Sequence, residues 1–108
     1  EMHVYADDHL PSLDEFEGRH VDDLGRMLKE VLLRYDALFD FELPYVMALH
    51  QRPTDGSGDG YAHFHIEFYP PHRTAQKLKH LAGSERGAGT FVNNKLAEAA
   101  AAELRECL

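Results

Sequence analysis

Between Val21 and Phe39 the apolar residues Val21, Leu24, Met27, Leu28, Val31, Leu32, Tyr35, Leu38 and Phe39 recur at helical spacing. That spacing lays one apolar stripe along an amphipathic helix. Asp22 and Asp23 suit the positive end of its dipole, and Arg34 in the later part suits the negative end. Ahead of it, Pro11 breaks any strand and Ser12-Leu13-Asp14-Glu15 has the order of a capping box, so a short helical turn ending near Gly18 is expected. After Pro44 the period changes. Tyr45 to Arg52 reads as a mostly apolar, buried strand closed by Pro53, and Tyr61 to Tyr69 alternates as a second strand closed by Pro70-Pro71. Between them, the segment from Thr54 to Gly60, with Gly56, Gly58 and Gly60 and the acids Asp55 and Asp59, has no apolar residue and reads as a surface loop. Met2-His3-Val4-Tyr5 alternates as a short strand at the start of the chain. Thr74 to Leu81 has helical spacing through Leu78 and Leu81, Gly83, Gly87 and Gly89 mark a loop, and the Ala-, Glu- and Leu-rich stretch from Leu96 to Cys107 favours a last helix.

This order of elements predicts an α+β fold, an antiparallel sheet with helices packed on one face. Its 108 residues suit one domain, residues 1–108. Three strands make a small sheet, and a strand at the first residues suggests a cut chain, so a piece of a longer protein is expected. Eleven Lys and Arg against nineteen Asp and Glu leave a net charge of −8, the wrong sign for holding nucleic-acid phosphates. No apolar run approaches the roughly 18 residues of a membrane span, and no basic-then-apolar leader opens the chain. A cytoplasmic protein without nucleic-acid or membrane partners is the expectation. The single cysteine, Cys107, can form no internal disulfide, in keeping with a reducing compartment.

Eight histidines in so short a chain are the first chemical signal. On the second strand, period two puts Ala62, Phe64, Ile66 and Phe68 on one face and Tyr61, His63, His65, Glu67 and Tyr69 on the other. One face reads as core and the other as a site. His63 and His65 would lie about 7 Å apart and point the same way, within reach of one metal ion, with Glu67 as a third ligand or an outer acceptor. His50 on the preceding strand could join them through a hairpin. Imidazoles with a carboxylate suit zinc or iron better than magnesium or calcium. The same pattern also fits phosphoryl transfer by an imidazole nucleophile, or plain hydrogen-bonded residues on a solvated face. Arg52, His72, Arg73, Lys77, Lys79 and His80 form the cationic concentration of an acidic chain, where an anionic sugar phosphate would be attracted. The glycines from Gly83 to Gly89 lack the order of a P-loop or a dinucleotide fingerprint.

Four ordered segments carry a resemblance: Leu43-Pro44-Tyr45-Val46-Met47-Ala48-Leu49-His50, Ala62-His63-Phe64-His65-Ile66-Glu67-Phe68-Tyr69-Pro70-Pro71, Lys79-His80-Leu81-Ala82-Gly83-Ser84-Glu85 and Gly87-Ala88-Gly89-Thr90-Phe91-Val92-Asn93. Together they resemble the C-terminal part of the galactose-1-phosphate uridylyltransferase family, over essentially the whole chain. The resemblance implies a histidine-triad-like half domain of an enzyme that exchanges UMP between UDP-glucose and galactose 1-phosphate through a uridylylated histidine. That nucleophile lies in a His-Pro-His segment of the family's N-terminal half, and no His-Pro-His occurs here. The resemblance therefore implies no catalytic residue in this chain, and inactivity without the N-terminal half. It maps His50, His63 and His65 onto histidines that, in some members, bind a second, structural metal, zinc or iron, together with a glutamate from the absent half, so the pocket here would be short of one ligand; it maps Lys79, Ser84 and Glu85 onto the stretch that reaches the UDP-sugar, partly across a homodimer interface. Glu67 stands where a histidine-triad hydrolase has its third alternating histidine, which disfavours nucleotide hydrolysis.

Two further readings stand beside the enzyme part. One is a free-standing, His-rich metal-binding module without catalysis. The other is a fragment that associates with a copy of itself through uncovered apolar surface.

Overall fold

The computed structural model describes residues 1–58, 60–93 and 95–108, so Asp59 of the expected glycine-rich loop lies outside the described residues. The elements run β1 (Met2–Tyr5), a 3-10 turn (Leu13–Glu15), α1 (Gly18–Phe39), β2 (Val46–His50), β3 (His65–Tyr69), β4 (His72–Thr74), β5 (Lys77–Leu78), α2 (Gly83–Ala88) and α3 (Ala97–Glu106). The α+β class is as expected. The described residues fall into two compact units, one of Glu1–Glu30 with Tyr45–Pro70, the other of Val31–Pro44 with Pro71–Leu108.

The first unit holds an antiparallel three-stranded sheet in the order β1-β3-β2. Its core is the face of β3 that alternation assigned: Phe64, Ile66 and Phe68 are each buried. Phe16 meets Phe64 edge-on at 5.1 Å and Tyr45 lies 5.5 Å from Phe68, packing that holds the sheet flank. β3 is shorter than its pattern. The N–H groups of Tyr61 and Ala62 turn back to the Gly58 carbonyl, and the Phe64 N–H donates to Leu10, so pairing in the ladder starts only at His65. β2 is shorter too, and it is not buried as expected. It lies at the sheet edge, with Val46, Met47 and Leu49 all exposed. An apolar run identifies a strand but not its place in the sheet. Gly58 has φ +89°, and a Cβ there would stand 2.9 Å from Pro53 Cδ, so this turn needs glycine.

Ser12 does not build the expected capping box. Its hydroxyl donates to the Asp14 carboxylate, and only a 3-10 turn follows. α1 starts at Gly18, three residues ahead of Val21, which leaves Asp22 and Asp23 beyond its first turn. Along it Leu24, Leu28, Val31, Leu32, Tyr35, Leu38 and Phe39 are buried or half-buried, whereas Val21 and Met27 are exposed. The helix ends at a left-handed Asp40 (φ 57°), before Pro44 acts. There the Phe41 N–H returns to the Asp36 carbonyl and the Asp36 carboxylate accepts the Leu43 N–H.

In the second unit, Val31, Tyr35 and Leu43 are buried. Two expectations fail here. Residues 74–81 form no helix: β4 and β5 make a small hairpin, with the Thr74 hydroxyl accepting the Gln76 N–H at the turn. Two leucines three residues apart are too little pattern to separate helix from hairpin. The glycine stretch is not a bare loop either. Residues Gly83–Ala88 are helical, closed by Gly89 at φ 62°, because the Glu85 carboxylate satisfies backbone donors that glycine composition cannot reveal. α3 forms as expected, and Arg34 donates to the carbonyls of Leu104 (2.5 Å) and Arg105 (3.2 Å) at its C-terminal end.

Candidate metal centre

The register of the three strands decides which side chains meet. β3 is central, and Glu67 stands opposite His3 on β1 and Ala48 on β2, while His65 stands opposite Tyr5 on β1 and His50 on β2. Alternation then puts His3, Tyr5, His50, His65, Glu67 and Tyr69 on the face away from the Phe64, Ile66 and Phe68 core. His50 and His65 stack at 4.7 Å with their planes 4° apart, and Tyr5 stacks on His65 at 4.8 Å.

Glu67 is the hub of this face, with only 15% of its side chain exposed. Its Oε2 lies 3.2 Å from His50 Nε2, and its Oε1 lies 3.3 Å from His65 Nε2. The hydroxyl of Tyr69 donates to Oε2. That hydrogen bond, followed by the nearby His50, His3 and His65, holds the Glu67 carboxyl below its ordinary range. The same bond pushes the Tyr69 phenol up to about 12. The carboxylate is thus ionised at neutral pH.

His50, His65 and Glu67 each offer a ligand atom, all within 4.8 Å of one another. Two imidazole nitrogens and one carboxylate oxygen suit zinc or ferrous iron. The 3.2 and 3.3 Å separations run to different oxygens of the Glu67 carboxylate, so each imidazole nitrogen faces its own oxygen. Hydrogen bonding supports the fit independently. His65 Nδ1 lies 2.9 Å from the His63 carbonyl, which can only accept, so Nδ1 carries the hydrogen. In the neutral ring, Nε2 then aims a lone pair at the Glu67 carboxylate, an arrangement that a cation between them stabilises.

Of the three histidines singled out as metal ligands, His50 and His65 meet in this group. His63 precedes the ladder, and its Nε2 lies 2.8 Å from the Ala6 carbonyl while its ring packs edge-on against His9. Its backbone carbonyl, rather than its imidazole, reaches the site by holding His65. Sequence reasoning passed over His3 and Tyr5. Alternation in Met2–Tyr5 already put them on one face, but which strand that face joins is a matter of long-range pairing.

The residues expected to reach substrate lie in the second unit. Glu85 is buried, and its carboxylate accepts the N–H of Ala82 (2.6 Å) and of Val92 (3.4 Å). The Ala82 bond leads in holding the Glu85 carboxyl below its ordinary value, with the Val92 bond and the charges of Lys79 and Arg73 adding to it. Ser84 is exposed, and its carbonyl accepts the Thr90 N–H. Lys79 is exposed, and its N–H is spent on the Pro71 carbonyl. Arg52, from the cationic set, is engaged by Glu15 at 3.0 Å and Asp14 at 3.7 Å.

A family model, galactose-1-phosphate uridyl transferase, C-terminal domain, matches residues 1–108. The chain belongs to this family. Galactose-1-phosphate uridylyltransferase of Thermotoga maritima is 40% identical over 107 residues, covering 98% of this chain and 34% of that protein. The enzyme of the same name from Schizosaccharomyces pombe is 41% identical over 106 residues, covering 95% of this chain and 28% of its own length. Among solved structures, a uridylyltransferase aligns with a TM-score of 0.78 at 38% identity, covering 98% of this chain and 35% of that one. The chain therefore spans about a third of the length of its uridylyltransferase relatives. No helix of its described residues is long and apolar enough to cross a membrane.

Proposed function

We propose that this chain is the C-terminal part of a uridylyltransferase that exchanges UMP between UDP-glucose and galactose 1-phosphate. Its own contribution is a structural metal centre and a substrate-contacting segment. The observation that carries the reading is a galactose-1-phosphate uridylyltransferase likeness running over residues 1–108, in a chain that spans only a third of its relatives. His50, His65 and Glu67 hold the metal, with His63 fixing the tautomer of His65 through its carbonyl. Zinc or iron held by these residues would serve as a structural tie between β2, which carries His50, and β3, which carries His65 and Glu67. Glu85 shapes α2 from within, leaving exposed Ser84 and Lys79 to meet the UDP-sugar. As one domain in a larger cytoplasmic enzyme, the chain works with an N-terminal portion that carries the nucleophilic histidine, and with a second copy.

Mixing the chain with the N-terminal half of a uridylyltransferase relative tests this. Uridylyl transfer from UDP-glucose should appear only in the mixture. A folded mixture that stays silent counts against the reading.

A second reading, a metal-binding module without catalysis, is favoured by one observation: the three gathered donors all come from this chain. Tight zinc binding with no response to UDP-glucose, in the chain and in the mixture alike, would support it.

A further inference from the structure

We propose that the cleft between the 3-10 turn and the end of β2 binds a neutral, polyhydroxylated ligand of monosaccharide size. The site uses none of His50, His65 and Glu67, so it stands or falls independently of the function proposed above.

The cleft has a volume of about 440 Å³ and is lined by Ser12, Asp14, Gln51, Arg52, Pro53 and Thr54, with Gly56 beside them. Small-molecule sites span roughly 300–1,000 Å³, so one sugar ring fits with room for its hydroxyls. Its walls are fixed by cross-links between the turn and the strand end. The Leu13 N–H donates to Gln51 Oε1 at 3.1 Å, and the Arg52 N–H donates to the Pro11 carbonyl at 2.9 Å. Ser12 is only 7% exposed, and its hydroxyl donates to the Asp14 carboxylate. That bond leads in holding the Asp14 carboxyl below its ordinary range, with the Arg52 charge adding to it. Groups held in place before a ligand arrives cost less to order on binding.

The polar groups left over decide the ligand class. Arg52 donates from Nη1 to Glu15 at 3.0 Å, and its other side-chain N–H groups find no hydrogen-bond acceptor among the described residues. Its Nη2 stands 3.7 Å from Asp14 Oδ2, beyond a direct hydrogen bond. A hydroxyl beside that pair can accept from Arg52 and donate to Asp14 at once, which neither a pure donor nor a pure acceptor can do. Gln51 has its oxygen occupied by Leu13, so its amide N–H groups remain as donors. Donors and an acceptor thus stand side by side, as adjacent hydroxyls on one ring require, and Pro53 offers apolar surface to the ring's C–H groups.

Charge excludes the other ligand classes. Arg52 already faces two carboxylates, Asp14 and Glu15, so a phosphate would meet like charge on either side of its only cation. A cationic ligand would meet the guanidinium itself. An uncharged ligand pays neither cost, and hydroxyls satisfy what the cleft leaves unpaired.

The test is a nitrogen-15 NMR titration of the 108-residue chain with D-glucose alone, D-galactose alone and glucose 1-phosphate alone. A free hexose should shift the amide signals of Leu13, Asp14, Arg52, Thr54 and Gly56 saturably, and glucose 1-phosphate should shift them less at equal concentration. Asp14→Asn keeps an oxygen for the Ser12 hydroxyl but loses the charged acceptor, and Arg52→Met keeps the stem but loses the donors. Both should keep the circular dichroism of the parent and bind the hexose about tenfold more weakly, as the loss of a hydrogen bond to a charged group implies. A folded parent whose signals stay still up to about 100 mM of both hexoses, weaker than any useful affinity, overturns the proposal. So does a folded variant of either kind that binds as the parent does, and a preference for glucose 1-phosphate overturns the neutral class.

Discussion

Glu67 and Glu85 are both shielded carboxylates held below their ordinary range, yet they serve opposite ends. Glu67 is held by side chains, by the Tyr69 hydroxyl first and then by His50, His3 and His65. Glu85 is held chiefly by backbone, by the N–H of Ala82 and of Val92. A carboxylate surrounded by imidazoles on a rigid ladder is chemistry kept available. A carboxylate consumed by main-chain donors is chemistry spent on shape. In the first unit the sheet supplies the rigidity and side chains are free to form a site. In the second, a short helix rich in glycine has little packing of its own, and a functional-looking acid is needed to hold it.

The comparison can be broken at several points. Phe68 is fully buried in the sheet core, and Phe68→Ala should cost about 3–5 kcal/mol in denaturant unfolding. That is a large share of a small domain's stability, so the metal site should be lost with the fold. Glu67→Gln should leave the sheet folded by circular dichroism while weakening zinc more than about 100-fold, beyond the loss usual for outer-shell partners. Comparable zinc affinity in parent and variant would place the chemistry elsewhere. Gly58→Ala forces a Cβ against Pro53 at positive φ and should cost about 1–2 kcal/mol, read as a lower urea midpoint with unchanged slope. The effect should be confined to stability, since Gly58 lies outside the ladder.

The smallest effect belongs to Glu85→Gln, and its sign is set by pH. Because folding lowers the Glu85 pKa, its ionised form adds stability above the unfolded value near 4.5, and that contribution disappears as pH falls through the folded value. The variant should therefore melt below the parent at about pH 7, with the gap shrinking toward about pH 3. A gap that persists in acid would mean that Glu85 acts through packing.

How much was legible in the chain follows the same divide. Alternation from Phe64 to Phe68 separated core face from site face, because period two is geometry that every strand shares. Helical spacing from Leu24 to Phe39 likewise showed α1. What alternation could not show was pairing: that His3 faces Glu67, that β2 is an exposed edge, and that His63 falls before the ladder begins. These depend on contacts between residues far apart in sequence. The hairpin at β4–β5 and the helix at α2 were missed for another reason. Their local pattern is thin, and hydrogen bonds that the Thr74 and Glu85 side chains accept from main-chain N–H groups decide the outcome.

The central claim is that the face of β3 and its neighbours builds a metal centre around His65 and Glu67. Calorimetric titration of zinc into the chain and into His65→Ala tests it most directly. One ion bound by the parent, with binding abolished in a folded His65→Ala, is the predicted result; equal heats from both proteins, or none from a folded parent, would contradict it.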